Sequence, residues 1–186
     1  MGCKLIQNIN HSCRYNAGGI TDIYLLDIRD FISYRFKDDK LYDECLVDRI
    51  NIKDVDYIKL DTVSESNFIE TEDSGIYKQT LTTFVGTLDY SKTSNLLLTK
   101  RNRYLLIFGN SQGKLYSFGS DGGASISFSQ QSGQLTEASG YAITITKNSM
   151  YPLFEVDAAR FNKTFVLGTH LKVLIPTEDK KNAILI

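Results

Sequence analysis

The chain has 186 residues, with 21 Lys and Arg against 22 Asp and Glu and a formal charge of −1. A single domain of this size buries roughly 70% of the surface its unfolded chain exposes, so it needs neither disulfides nor a metal to fold. The charge balance excludes a dedicated nucleic-acid binder, which carries a basic excess, and an acidic disordered tail.

Ile, Val and Thr number 40, Tyr and Phe add 21, and Ala only 7. Side chains branched at Cβ and aromatic rings suit a pleated surface, so the composition predicts a mainly β protein. No apolar run approaches the roughly 20 residues that span a bilayer, so no membrane partner is expected. The start, MGCKLIQNINHSC, lacks the apolar stretch of a signal peptide, and Ile6 stands where a myristoylation signal has Ser or Thr. Cys3, Cys13 and Cys45 are therefore expected as free thiols.

In chain order, residues 1–18 read as a polar N-terminal arm ending at the Gly18-Gly19 turn. Ile20 to Leu26 alternates as a strand, with Ile20, Asp22, Tyr24 and Leu26 on one face and Thr21, Ile23 and Leu25 on the other. The charged stretch Phe36 to Glu44 follows as a solvent loop or hairpin arm, holding Lys37, Asp38, Asp39, Lys40 and Tyr42. Strands are expected at 46–52 and 57–60. Glu72-Asp73-Ser74-Gly75 reads as a hairpin turn into a long Thr-rich strand over 76–88. One helix is expected near 91–102, with Ser91 as its N-cap, Leu96, Leu97 and Leu98 as its apolar side, and Lys100, Arg101 and Arg103 at its C-terminus.

Then come a strand at 104–108, a turn at 110–113, and strands at 114–118, 124–129 and 141–146. Nine of the 13 glycines fall between Gly75 and Gly140, punctuating short strands as in a sandwich. Residues 158–186 form a C-terminal docking arm with apolar clusters, Val173-Leu174-Ile175 and Ile184-Leu185-Ile186 among them. The domain between the arms is 19–157, expected as an antiparallel β-sandwich or barrel with one flanking helix.

Gly109-Asn110-Ser111-Gln112-Gly113 matches the nucleophile-elbow spacing, but alternating Lys114 to Phe118 follows where an elbow requires a helix. Asn, Ser and Gly suit a hairpin turn for backbone reasons, and His170 is the one downstream base. Gly119-Ser120-Asp121-Gly122-Gly123 lacks the Gly-Lys-Ser/Thr ending of a phosphate loop and reads as a loose turn. Cys3, His11 and Cys13 do not have zinc-site spacing. The acids of 38–44 are interleaved with lysine, as on a solvated face. The sequons at Asn10 and Asn162 read as chance matches. No enzyme activity, cofactor or metal is expected.

The segment LTKRNRYLLIFGNSQGKLYSFGSDGGASISFSQQSGQLTEASGYAITITKNSMYPLFEVD, Leu98 to Asp157, runs helix end, strand, hairpin, Gly-rich loop, then Ser-Gly-Tyr-x-Ile-Thr-Ile-Thr leading to Tyr-Pro-Leu. In that order and texture it resembles ring-forming tail tube or neck (tail completion) virion proteins of tailed bacteriophages, including crAss-like phages. The resemblance covers about a third of the chain. It implies a tail tube-like sandwich whose hairpins close a shared barrel around a DNA channel, and an early loop that reaches the next ring.

The partners it implies are further copies of the chain, adjacent portal, neck or tail proteins, and genomic DNA passing without sequence-specific binding. Localisation would be the virion, after assembly in the bacterial host cytoplasm. Lys37, Asp38, Asp39, Lys40, Tyr42, Val173, Leu174 and Ile175 are the expected inter-ring or subunit contacts. The apolar C-terminal arm departs from a minimal tube subunit. The alternative function is a non-catalytic β-sandwich module that recognises a glycan or receptor, although Trp is absent.

Overall fold

The computed structural model describes residues 19–37, 45–53, 55, 57–62, 66–132, 138–159 and 161, with the backbone of Leu174–Pro176 and Ala183–Leu185. The protein is mainly β, a sandwich of two sheets with one flanking helix. The strands are β1 (Ile20–Asp27), β2 (Phe31–Phe36), β3 (Leu46–Ile52), β4 (Ile58–Leu60), β5 (Asn67–Asp73), β6 (Ile76–Gly86), β7 (Tyr104–Asn110), β8 (Leu115–Phe118), β9 (Ser125–Ser132), β10 (Ser139–Ser149) and β11 (Phe154–Val156), with β12 (Leu174–Pro176) and β13 (Ala183–Leu185) in the tail. The helix α1 is Tyr90–Thr99.

Seven strands form the first sheet in the order β2-β3-β11-β8-β7-β1-β4, and four form the second in the order β5-β6-β10-β9. Every pair is antiparallel except β3 with β11, which is parallel. The first sheet curls on itself. Beyond β1 the chain turns through a short 3-10 corner, Ile28–Asp30, and becomes the far edge strand β2. Tyr34 of β2 then places its hydroxyl 2.6 Å from Ser117 Oγ on β8, although β3 and β11 lie between them in the sheet. Ser117 in turn donates to the Leu106 carbonyl at 2.8 Å.

The curl encloses one apolar core, with Leu26, Val47, Leu105, Ile107, Phe154 and Phe161. A second core fills the space between the sheets, with Ile23, Leu25, Leu106, Phe118, Tyr141 and Ile143. β1 and β7 serve both cores. On β1, Ile23 and Leu25 enter the core between the sheets while Tyr24 and Leu26 enter the other, as expected; Ile20, expected on the Tyr24 face, instead packs against the core between the sheets because a register shift lies between Ile20 and Asp22. That is why Tyr104 to Gly109 is buried throughout: a strand covered on both faces reads as a continuous apolar run.

Local chemistry explains the turns. Asn110 Oδ1 accepts the N–H groups of Gln112 and Lys114, both at 3.0 Å, and Gly113 takes a φ of +77°. This is an Asx-type hairpin between β7 and β8. Ser111 thus lies in a strand-to-strand turn, as expected. The 119–123 loop is tighter than expected. Gly123 N–H donates to the Gly119 carbonyl at 2.9 Å, and both glycines have positive φ. A Cβ on Gly119 would lie 2.9 Å from the Tyr104 carbonyl oxygen, and one on Gly123 would lie 2.9 Å from the Tyr104 nitrogen. The loop is glycine-rich because it presses against the start of β7.

The helix differs from expectation in two respects. Its N-cap is Asp89, not Ser91, and Asp89 makes no side-chain cap bond. The buried Tyr141 hydroxyl holds this end instead, accepting the Asp89 N–H at 3.0 Å and donating to the Asp89 carbonyl at 2.8 Å. Thr93 Oγ1 lies 2.7 Å from the same hydroxyl. Of the three leucines only Leu96 is buried, because successive helical residues point about 100° apart. Lys100 is the C-cap, and its ammonium sits 4.7 Å over the Phe128 ring.

Candidate subunit-interaction site

Two surfaces stand out. The first is a groove of about 840 Å³ between the helix, the edge strand β4 and the end of β6. Leu25, Leu96, Tyr104 and Ile143 form its buried floor. Ile58 of β4 and Leu98 of α1 line it while 55% and 63% exposed. Side chains of that size are held in water only at a cost of roughly 25 cal/mol per Å² of apolar surface, so two of them lining one groove make it a candidate contact surface.

Among the described residues β4 ends its sheet and pairs only with β1, so there its outer edge is unpaired. Lys92 Nζ donates to the Gly86 carbonyl at 2.8 Å, and Lys59 Nζ lies 3.0 Å from Asp22 Oδ1. The hydrogen bond to Asp22 holds the Lys59 ammonium above its ordinary pKa.

The second surface is the outward face of the four-stranded sheet. Residues alternate across a strand, so the neighbours of buried Leu81, Ile143 and Ile145 point away from the core. The register sets these outward residues in rows. Asn67, Thr82, Thr144 and Ser127 form one row, and Ile69, Thr80, Thr146 and Ser125 the next. Ser125 Oγ lies 3.2 Å from Thr146 Oγ1, and Ser127 Oγ donates to the Thr144 carbonyl at 3.2 Å. Lys78 and Asp73 share this face and pair with each other at 2.6 Å. The face is thus broad, hydroxylated and without net charge, and among the described residues its two edge strands, β5 and β9, each have one unpaired edge.

The contacts expected from sequence are placed only in part. Lys37 is exposed and immediately follows β2. Leu174 and Ile175 lie in β12, whose backbone pairs with Leu185 and Ile184 of β13. Asp38, Asp39, Lys40, Tyr42 and Val173 lie outside the described residues, as do Cys3, His11, Cys13, His170, Asn10 and Asn162. The groove was missed because its walls come from distant segments. One signal was present: three successive leucines on one helix cannot all face the core.

Among the described residues, no group of three or more His, Cys, Asp or Glu side chains could hold a metal ion, and no helix is long and apolar enough to cross a membrane. Burial pushes the Cys45 thiol up from its ordinary pKa, with Glu70 adding to the effect, which disfavours the thiolate. No known protein family, curated protein or solved structure matches this chain.

Proposed function

We propose that this chain is a non-enzymatic structural protein of a tailed bacteriophage that oligomerises into a ring, forming part of the tail tube or neck channel for DNA. The observation that carries this reading is the hydroxylated face of the four-stranded sheet, without net charge and, among the described residues, unpaired at both edges. Joining the β5 edge of one subunit to the β9 edge of the next is a heterologous contact, which closes into a ring when the rotation between neighbours divides a full turn. The joined sheets form a barrel without free edges.

Turned toward the lumen, the Ser/Thr face presents no excess of cations to the phosphate backbone. DNA then passes without the ion release that drives tight, salt-sensitive binding. The resemblance over 98–157 supports the phage assignment, and the flanking helix and apolar groove fit an outer surface that meets other subunits.

Electron microscopy of the purified protein, with light scattering after size exclusion, tests the proposal. The expected result is a closed ring with a central opening. A chain that stays monomeric at every concentration, or forms only closed two-fold dimers, overturns it.

A further inference from the structure

The groove between α1, β4 and the end of β6 opens into the core between the sheets, because its floor of Leu25, Leu96, Tyr104 and Ile143 consists of core side chains. Its volume of about 840 Å³ lies inside the roughly 300–1,000 Å³ of small-molecule sites. Such sites join an apolar lining to a few polar groups that orient the ligand.

Among the described residues, four charged side chains line the groove: Asp27, Lys59, Asp61 and Lys92. Three of them are matched. Asp27 pairs with Arg29 at 2.6 Å, and Lys59 lies 3.0 Å from Asp22 and 4.0 Å from Asp61. Half-buried Lys92 has no carboxylate within ion-pair distance among the described residues. Its Nζ donates to the Gly86 carbonyl at 2.8 Å and to the Thr87 carbonyl at 3.4 Å, and both residues also line the groove.

An ammonium has three donors, so one donor and an unbalanced positive charge remain at the rim. A cation drawn out of water is stabilised by an anionic partner. One cation balances one negative charge, which suits a carboxylate rather than a doubly charged phosphate. Leucine and isoleucine supply most of the adjoining lining, which an aliphatic chain covers by the same burial that builds the core.

We propose that the groove binds a free single-chain aliphatic carboxylate, with its head on Lys92 Nζ and its chain along the apolar floor, covering Ile58 and Leu98. This inference goes beyond the ring reading and does not depend on it.

Calorimetric titration of the full-length protein with octanoate, decanoate and dodecanoate, each below its micelle concentration, tests it. One molecule should bind per chain, and affinity should rise about fourfold for each added methylene. Lys92→Met should weaken decanoate about tenfold and leave decanol unchanged, since it removes a charge-assisted hydrogen bond and keeps the apolar stem. Leu98→Glu, at an exposed position, should weaken decanoate about tenfold by placing a like charge on the wall. Lys78→Met, outside the groove, should change nothing.

No binding, many molecules per chain, or decanol and decyltrimethylammonium binding as tightly as decanoate overturns the inference. Equal decanoate affinity in the Lys92→Met protein does the same. Binding by dissociated chains alone places a neighbouring subunit in the groove and also overturns it.

A nitroxide-labelled fatty acid gives the location. It should broaden the methyl signals of Leu25, Leu98 and Ile143 well before those of Leu105 and Val156 in the other core. Equal broadening of both sets overturns the assignment to this groove.

Discussion

Tyr141 is fully buried, yet its hydroxyl does the capping work at the start of the helix. Tyr141→Phe keeps the ring against Phe128 and leaves the Asp89 N–H without its acceptor. A loss of about 1–3 kcal/mol is expected, read from urea unfolding, because an unmade bond in a buried setting costs the desolvation of its partner.

Asp27 is a second such point. Its carboxylate accepts from the Arg29 backbone N–H at 3.0 Å and from the Arg29 guanidinium at 2.6 Å, turning β1 into the 3-10 corner. The side-chain hydrogen bond to Arg29, ahead of other causes, holds the Asp27 carboxyl below the usual range. Its contribution to stability is complete above the unfolded value of about 3.9 and is lost as pH falls through the lower folded value. Asp27→Ala should cost about 1 kcal/mol at neutral pH and flatten that part of the acid unfolding curve.

Tyr34 and Tyr57 behave oppositely. Burial raises both phenols well above 10.0. Unfolded phenols ionise near about 10, so stability falls as pH rises beyond that value. The phenolate absorbance of these two tyrosines should appear only as the protein unfolds.

At the scale of elements, the 119–123 loop seats β7 against β9. Gly123→Ala forces a side chain into a positive φ and toward the Tyr104 nitrogen, which bonds the Ala124 carbonyl at 3.1 Å. Gly113→Ala meets the same φ penalty in open space. Both should lower the melting temperature, Gly113→Ala by the roughly 1–2 kcal/mol of the left-handed conformation alone and Gly123→Ala by more.

The elements legible in the sequence were those with a strong local pattern. β3 was expected over 46–52 and is found there, and the long alternation after Gly75 became β6. β2, β5 and β11 were not read as strands. β11 has only three residues, and β5 has a polar, largely exposed outer half, so neither shows a clear alternation. Their existence depends on the strands beside them, as in the parallel pairing of β11 with β3.

For the whole molecule, the neutral sheet face predicts a gain of function. Thr82→Lys with Thr144→Lys adds two adjacent cations to that face, since these residues are cross-strand neighbours. The assembled variant should retain duplex DNA on a filter in low salt and release it as salt rises, while the unaltered protein retains none. Removing residues 170–186 should shrink the assembly seen by light scattering while a cooperative melt persists.

The sequence by itself determined a single, mainly β sandwich with one helix, the β7–β8 turn and the apolar tail, because side-chain period, turn chemistry and composition are local properties. Only the tertiary structure decided which strands neighbour one another, that the first sheet curls around its own core, and that Ile58 and Leu98 line one groove. It also decided that the threonines of β6 and β10 join the serines of β9 in one face without net charge. Those facts depend on register between segments far apart in the chain, and register is set by the packing of the whole core.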